Sequence, residues 1–312
     1  MDISVVIPAR NEHPQIEFTL QTIFDQLERS SFDWEVILVD NMSTDATSSH
    51  AENRHWHKNG RLKIIRYNER GSCWQARNAG CEMARGEIVW LFDAHVVISE
   101  QLFFRQMEVF RARPECAIVY TPVRYMSDGA KNTAYGYSIE PQLRQKFWGS
   151  WTKRKERATP YRIPMSGTAG IAVRRSFLRE IRGWPEPLML YGGGEQWISL
   201  LCWMMGRECF IHPETHLYHY RGKRGYQGSN EEHFFNRAFV AYALGDVEWW
   251  RLFTGPFVRR VHKTYRQVFR DLAYRAMHEA EPYREWVQSV APHSLTEVTK
   301  ARPWVNQYAA VT

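Results

Sequence analysis

The chain has 312 residues, 44% of them hydrophobic and 14% aromatic, a composition sufficient for one large core or two fused ones. Together with that apolar content, its 24% of charged residues excludes a disordered chain. No apolar run approaches the roughly 20 residues that cross a bilayer, and the first residues lack the basic region and cleavage site of a signal peptide. We therefore expect a globular protein in the cytoplasm, bacterial or of a virus-infected host, without membrane insertion.

Cysteine and charge patterns narrow the class further. The five cysteines are odd in number, scattered, and form no Cys-x-x-Cys pair, so the sequence indicates neither a disulfide framework nor a zinc ribbon. The formal net charge of +7 favours polyanionic partners or simply solubility. Aromatic side chains interleave a basic strip between residues 144 and 162, a pattern typical either of a solvated loop or of a nucleic-acid-binding surface.

The first 120 residues alternate between short β-branched runs and helical patterns. Strands are predicted at residues 3–7, 35–39, 62–66, 88–92 and 117–120. Helices are predicted at residues 74–84 and 100–111, and a helical stripe is formed by Ile16, Leu20, Ile23, Phe24 and Leu27. This alternation predicts an α/β fold with a mostly parallel, doubly wound sheet and right-handed crossovers.

The rhythm changes after residue 121. Residues 121–164 lack clear periodicity, which predicts a functional loop region. Further on, the patterns predict strands at 171–173 and 208–212 and helical segments at 176–181 and 195–205. Beyond Ser229 they predict an aromatic, helical part that includes 257–278 and 283–290. We divide the chain into a catalytic unit at 1–228, with a nucleotide-binding half at 1–120 and a second half at 121–228, and a helical C-terminal extension at 229–312.

Asp93-Ala94-His95 follows the apolar run at 88–92 and is the most informative motif. Side chains at i and i+2 of an extended chain point to the same side, so Asp93 and His95 could hold a divalent metal together. The carboxyl end of a strand is where open α/β sheets bind ligands. The alternative is that Asp93 is an ordinary turn or cap residue.

Two more polar segments follow predicted strands. Pro8, Ala9, Arg10 and Glu12 come after the first strand, where they could grip a base or ribose or form an ordinary turn. Asp40 ends the second strand, where its carboxylate suits a ribose or uracil contact or a helix N-cap.

These segments, together with residues 71–80 and 84–93, resemble the nucleotide-binding half of a GT-A, family 2-like glycosyltransferase. The histidine in Asp93-Ala94-His95 resembles the polypeptide N-acetylgalactosaminyltransferases in particular. The likeness continues through residues 165–170, the Tyr191-Gly192-Gly193-Gly194-Glu195 turn and residues 216–221.

The resemblance implies a metal site and a nucleotide site. Asp93, His95 and His219 would bind Mn²⁺, or Mg²⁺, which would neutralise charge on a UDP leaving group. Asp40 and Arg77 would contact the nucleotide, and Ala94 would lie near the donor sugar.

The resemblance also implies roles in catalysis. Arg221 and Tyr226 fall in a segment similar to the family's mobile loop over the diphosphate; a surface turn is the alternative. Glu195 would deprotonate the acceptor hydroxyl in an inverting enzyme or bind donor or acceptor in a retaining one, and it could also simply cap a helix. The turn is one glycine longer than the family's, so two registers for Glu195 stay open.

We expect a metal-dependent glycosyltransferase that moves a sugar from a UDP-sugar to a hydroxyl. The favoured acceptor is a 5-hydroxymethylpyrimidine in DNA, because the basic strip and a second basic series suit a polyanion. That series is Arg259, Arg260, Lys263, Arg266 and Arg270. A bacterial polysaccharide, lipid-linked glycan or protein is the competing acceptor; a nucleotidyltransferase or a non-catalytic nucleic-acid binder is the competing class.

Overall fold

The computed structural model describes residues 1–67, 71–126, 133–139, 159–220 and 228–305, together with the backbone of residues 146–147. The strands are β1 (Ile3–Ala9), β2 (Trp34–Asp40), β3 (Leu62–Arg66), β4 (Ile88–Phe92), β5 (Val96–Ile98), β6 (Cys116–Tyr120), β7 (Val123–Tyr125), β8 (Thr133–Ala134), β9 (Tyr137–Ser138), β10 (Lys146–Phe147), β11 (Tyr161–Arg162), β12 (Gly170–Arg174), β13 (Glu208–Ile211) and β14 (Leu217–His219). The helices are α1 (Gln15–Leu27), α2 (Thr47–Glu52), α3 (His55–Lys58), α4 (Cys73–Met83), α5 (Leu102–Ala112), α6 (Arg175–Glu180), α7 (Gly194–Met204), α8 (Asn230–Val240), α9 (Val247–Arg260), α10 (Arg266–Val290) and α11 (Leu295–Ala301).

An eight-stranded sheet forms the centre, in the order β11-β13-β6-β12-β4-β1-β2-β3. β1 pairs in parallel with β2 and β4, β2 with β3, and β6 with β13. β12 is antiparallel to both β4 and β6, and β11 is antiparallel to β13. The predicted α/β fold is confirmed, and both predicted halves of the catalytic unit contribute strands to this sheet.

The continuous apolar run at β4 is explained by its position. All five residues of β4 are buried, so side chains on both of its faces are covered, and β1 and β12 pair with its two edges. A strand covered on both faces needs no alternation of polar and apolar residues. The strand predicted at residues 88–92 is confirmed.

A smaller sheet lies beside the first, in the order β5-β14-β7-β8. β14 is antiparallel to β5 and parallel to β7. The sequence did not indicate these strands, because two or three residues are too few to show a period. The prediction of an irregular region at 121–164 is corrected accordingly: β7 to β11 all lie within it.

The C-terminal part is helical, as predicted, but its helix boundaries differ. A break after Arg260 separates α9 from α10, because Val261 is extended with φ −67° and ψ 143°. The predicted segments 257–278 and 283–290 are wrong in detail: α10 runs from 266 to 290 through Pro282. Rings of Phe253, Phe257 and Phe269 surround Phe234 at centroid distances of 5.5, 4.6 and 5.0 Å and form the core of these helices. Within the described residues, no helix has both the length and the apolar character that crossing a membrane requires.

Candidate active site

A pocket opens at the carboxyl ends of β1, β2 and β4, and most of the predicted nucleotide residues line it. Its lining residues are Pro8, Ala9, Arg10, Glu12, Asn41, Cys73, Arg77, Asp93, Ala94, His95, Leu190 and Tyr191. The sequence had not singled out Asn41, Cys73, Leu190 or Tyr191. The positions of Asn41 and Cys73 could have indicated the pocket, since Asn41 directly follows β2 and Cys73 is the first residue of α4.

Asp40 does not line this pocket. It is buried at the end of β2, and its Oδ1 accepts a hydrogen bond of 2.8 Å from the backbone N–H of Ser43. This contact is that of a turn-forming residue. Arg221 and Tyr226 lie outside the described residues.

Asp93, His95 and His219 converge beside the pocket. The His219 Nε2 atom lies 3.1 Å from Asp93 Oδ2, and the His95 Nε2 atom lies 4.0 Å from the same oxygen. The two imidazole rings are perpendicular, with centroids 4.7 Å apart, and the ligand atoms of all three residues lie within 4.8 Å of one another. Both histidines are buried.

The small sheet brings His219 to this place. β14 pairs with β5 so that His219 is opposite Val96, the residue after His95. The backbone N–H of Tyr220 also donates to the His95 carbonyl oxygen at 3.0 Å. Two histidines that are far apart in the sequence therefore meet through a three-residue strand pairing.

A buried arginine connects the cluster of Asp93, His95 and His219 to the loop before β12. Arg77 Nη2 donates to Asp93 Oδ1 at 2.7 Å and to the Thr168 carbonyl oxygen at 3.2 Å. Burial alone would raise the pKa of Asp93, but the hydrogen bond with His219 and the charges of Arg77 and the histidines outweigh it and hold that pKa well below its usual range. Asp93 is therefore a carboxylate, the form that binds a cation.

The Glu12 carboxylate orients His95. Its Oε2 lies 2.9 Å from His95 Nδ1, and the Glu12 side chain is buried. A carboxylate at Nδ1 fixes the proton on that nitrogen and leaves the Nε2 lone pair for a metal. Glu12 therefore lines the pocket, but the contact that the structure shows for its carboxylate is with His95, whereas the sequence predicted a contact with the nucleotide.

Two guanidinium groups at the pocket each have a buried nitrogen that bonds no acceptor among the described residues. Among the described residues, neither Arg10 Nη1 nor Arg77 Nε has a hydrogen-bond partner, although both atoms are buried. A buried unpaired donor is costly, so such groups indicate a ligand with acceptor oxygens. A diphosphate supplies them.

Glu195 is buried in the first turn of α7, next to the 165–170 loop. The hydroxyl of Thr168 is 3.5 Å from Glu195 Oε1, and Glu195 Oε2 has no hydrogen-bond partner among the described residues. Burial raises the pKa of Glu195, partly opposed by the charges of Arg237 and Arg77. The residue is not among those that line the pocket.

Backbone angles and close packing explain the three glycines that precede Glu195. Gly192 and Gly193 have φ of +88° and +81°, a region that side chains other than glycine rarely adopt. A Cβ at Gly194 would overlap the buried indole of Trp74. The turn is thus fixed by its backbone angles and by the ring beneath it.

Fold and pocket together define a protein of the GT-A class of glycosyltransferases, with a cluster of metal-ligating side chains at the carboxyl end of the sheet. The chain belongs to glycosyl transferase family 2, whose sequence model matches residues 4–182.

Similar proteins agree with that class. The chain is 26% identical to N-acetylgalactosaminyltransferase 6 of Drosophila melanogaster over 73% of its own length and 35% of the fly protein. It is 29% identical to the putative teichuronic acid biosynthesis glycosyltransferase TuaG of Bacillus subtilis over 40% of its length and 48% of TuaG. The chain thus spans about a third to a half of these proteins.

Solved structures share the fold. A crystal structure of GalNAc-T7 with UDP, GalNAc and Mn²⁺ superposes with a TM-score of 0.69 at 18% identity, over 97% of this chain and 58% of that one. S. aureus TarS 1–349 gives a TM-score of 0.60 at 16% identity, over 93% and 83% of the two chains.

Proposed function

We propose that this protein transfers a sugar from a UDP-linked donor to a hydroxyl group, with Mn²⁺, or Mg²⁺ in its place, bound by Asp93, His95 and His219. The observation that carries the proposal is the convergence of those three side chains next to a pocket at the carboxyl end of the sheet. The GalNAc-T7 crystal structure, which shares the fold, contains UDP, GalNAc and Mn²⁺.

The three proposed metal ligands suit such a cation. Two imidazoles and one carboxylate suit a borderline divalent ion, and the remaining positions are available for diphosphate oxygens and water. The bound cation would neutralise the charge that develops on the UDP leaving group as the sugar bond breaks.

Other side chains at the pocket would hold the metal ligands in place and contact the diphosphate. Arg77 holds Asp93 in its ionised form, and its unpaired Nε–H and the unpaired Nη1 of Arg10 are donors for phosphate oxygens. Glu12 holds the His95 ring in place. Arg221 and Tyr226 are proposed, by resemblance alone, to cover the diphosphate.

Glu195 is proposed to act on the sugar or acceptor side. Burial raises its pKa, which makes the carboxylate a stronger base than an exposed one. Thr168 lies between Glu195 and the Arg77–Asp93 pair. A base role would invert the configuration of the transferred sugar; a binding role would accompany retention.

The favoured acceptor is a 5-hydroxymethylpyrimidine in DNA. Five basic side chains of the α9–α10 region are exposed and available to a polyanion: Arg259, Arg260, Lys263, Arg266 and Arg270. The basic strip at 144–162 lies largely outside the described residues and supports the idea by sequence alone. A bacterial polysaccharide is the second candidate, favoured by the similarity to TuaG.

The test combines donors and acceptors. The protein is incubated with Mn²⁺, a panel of UDP-sugars and duplex DNA that contains 5-hydroxymethylcytosine or unmodified cytosine, and released UDP and nucleoside masses are measured. A gain of one sugar mass on the modified base alone supports the DNA acceptor. UDP release with a polysaccharide acceptor and none with DNA would assign the second candidate, and no UDP release under any condition would refute sugar transfer.

A further inference from the structure

A second group of metal-ligating side chains lies at the surface where α1 begins. His13 precedes α1, Glu17 lies in its first turn, and His50 lies in α2. One ligand atom from each residue lies within 4.8 Å of the others. None of the three lines the candidate active-site pocket. This cluster is therefore separate from Asp93, His95 and His219.

The carboxylate of Glu17 bridges the two imidazoles. Its Oε1 lies 2.9 Å from His13 Nε2, and its Oε2 lies 3.2 Å from His50 Nε2. Both rings thus direct the same nitrogen toward one carboxylate. The three side chains are 35%, 26% and 31% exposed, so a cation could reach them from solvent without any opening of the fold.

The contacts around His50 do not satisfy one another in a single protonation state. His50 Nε2 is also 3.2 Å from Arg54 Nε, an N–H donor, and Arg54 Nη2 is 3.7 Å from Glu17 Oε2. One ring nitrogen cannot donate to the carboxylate and accept from the guanidinium at the same time. A cation would accept the lone pairs of both rings and of the carboxylate, while the Arg54 side chain, 38% exposed, could turn to solvent.

We propose that His13, Glu17 and His50 bind a zinc ion. Two imidazoles and one carboxylate are a common zinc ligand set, and the fourth position would be held by water. This proposal does not depend on the sugar-transfer function.

The expected effect of the ion is to cross-link two parts of the fold. It would join the start of α1 to α2, a junction already made by hydrogen bonds from the Glu12 N–H to Thr47 Oγ1 at 2.8 Å and from the His13 N–H to Asp45 Oδ2 at 3.1 Å. Because Glu12 precedes His13 and its carboxylate orients His95, the ion would restrain the segment that carries Glu12.

The experiment separates the two clusters by substitution. Tag-free protein is stripped with a chelator, dialysed against zinc, and its bound zinc is measured, with circular dichroism as a check of folding. The variants are His219→Ala, which removes the active-site cluster, and His219→Ala combined with His50→Ala. The matched control combines His219→Ala with His55→Ala, since His55 is an exposed histidine on the neighbouring helix α3.

The proposal expects one zinc ion per chain in His219→Ala and in the His55 control, and its loss in the His50 double variant. Adding Arg54→Ala to His219→Ala should tighten zinc binding about fivefold, because a positive charge 3.7 Å from the Glu17 carboxylate is removed. Equal zinc in the His50 and His55 double variants, or no zinc in His219→Ala, would overturn the proposal. Neither result bears on sugar transfer, which is scored by UDP release.

Discussion

The Asn236 side chain is bonded to the backbone of the glycine turn before the buried acid: its Nδ2 lies 2.8 Å from the Gly192 carbonyl oxygen. The same amide group donates to the carbonyl oxygens of Met189 and Tyr191, and its Oδ1 accepts from the Met189 N–H at 2.7 Å. Asn236 belongs to α8, in the C-terminal helical part. The helical extension therefore fixes the turn that leads to Glu195.

Asn236→Ala should destabilise the protein by about 3 kcal/mol, because it removes the partner of the buried Gly192 carbonyl oxygen and of partly buried backbone groups of Met189 and Tyr191. Chemical denaturation measures the loss. The control is Asn53→Ala. The exposed side chain of Asn53 bonds only the Ser49 carbonyl oxygen among the described contacts, so this substitution should change stability by less than about 0.5 kcal/mol. Equal effects of the two substitutions would contradict the bridging role.

Glu12→Ala should weaken Mn²⁺ binding by about 10- to 100-fold, as loss of a carboxylate that orients a ligating histidine does. Glu12→Gln should cost less, since its amide oxygen can still accept from His95 Nδ1. Calorimetry of Mn²⁺ binding without nucleotide measures this directly. If Glu12→Ala instead leaves Mn²⁺ affinity unchanged and raises the KM for the UDP-sugar, Glu12 is the nucleotide contact that the sequence predicted.

His219→Ala should lower metal-dependent UDP release by about 100-fold or more, because the cation loses one of three protein ligands. His216→Ala is the matched control: it lies on the same segment, and burial lowers its pKa to about 4, so no charge is removed at neutral pH. UDP release and the thermal shift caused by Mn²⁺ with UDP are measured for both variants. Equal losses would refute the assignment of His219 to the metal.

Glu195→Gln should change how stability depends on pH. Burial raises the pKa of Glu195 above its ordinary value of 4.5, so the folded state binds the proton more tightly than the unfolded chain does. The stabilisation from this carboxyl is complete below 4.5 and is lost as the pH rises through the folded-state pKa. The variant should therefore gain stability relative to wild type as the pH rises above about 4.5.

Urea denaturation at a series of pH values checks the Glu195 prediction, with the exposed Glu285→Gln as control. A wild-type and Glu195→Gln pair whose difference does not vary with pH would contradict it. A large loss of UDP release in Glu195→Gln, with the fold intact, would add that the carboxyl acts on donor or acceptor.

Gly194→Ala should destabilise the protein by about 1–3 kcal/mol, because the new Cβ overlaps the Trp74 ring. Gly255→Ala provides a contrast of opposite sign. Gly255 lies inside α9, where a Cβ would approach only Arg259 Nη1, at 3.4 Å, so alanine should stabilise by up to about 1 kcal/mol. Thermal melts of the two variants give the comparison, and destabilisation of similar size in both would contradict it.

Seven of the eight strands of the central sheet could be predicted because each is a run of mostly apolar residues long enough to show its pattern, whereas β11 has only two residues. β3 and β4 begin and end where the sequence placed them, and β1 and β2 differ only at their ends. The strands β5 and β14 could not be predicted, since three residues carry no period. The Asp93 and His95 pair could be proposed from its spacing, whereas His219 came only from resemblance.

The sequence by itself determined the α/β class, the polar residues at the strand ends and the helical character of the C-terminal part, because these depend on local patterns of burial and turn chemistry. Only the tertiary structure decided that His219 meets His95 across β5 and β14, that Glu12 bonds the histidine, and that Asn236 holds the turn before Glu195. The physical reason is that each of these contacts joins residues distant in the chain. No local preference encodes them, and they form only when the sheets and helices pack together.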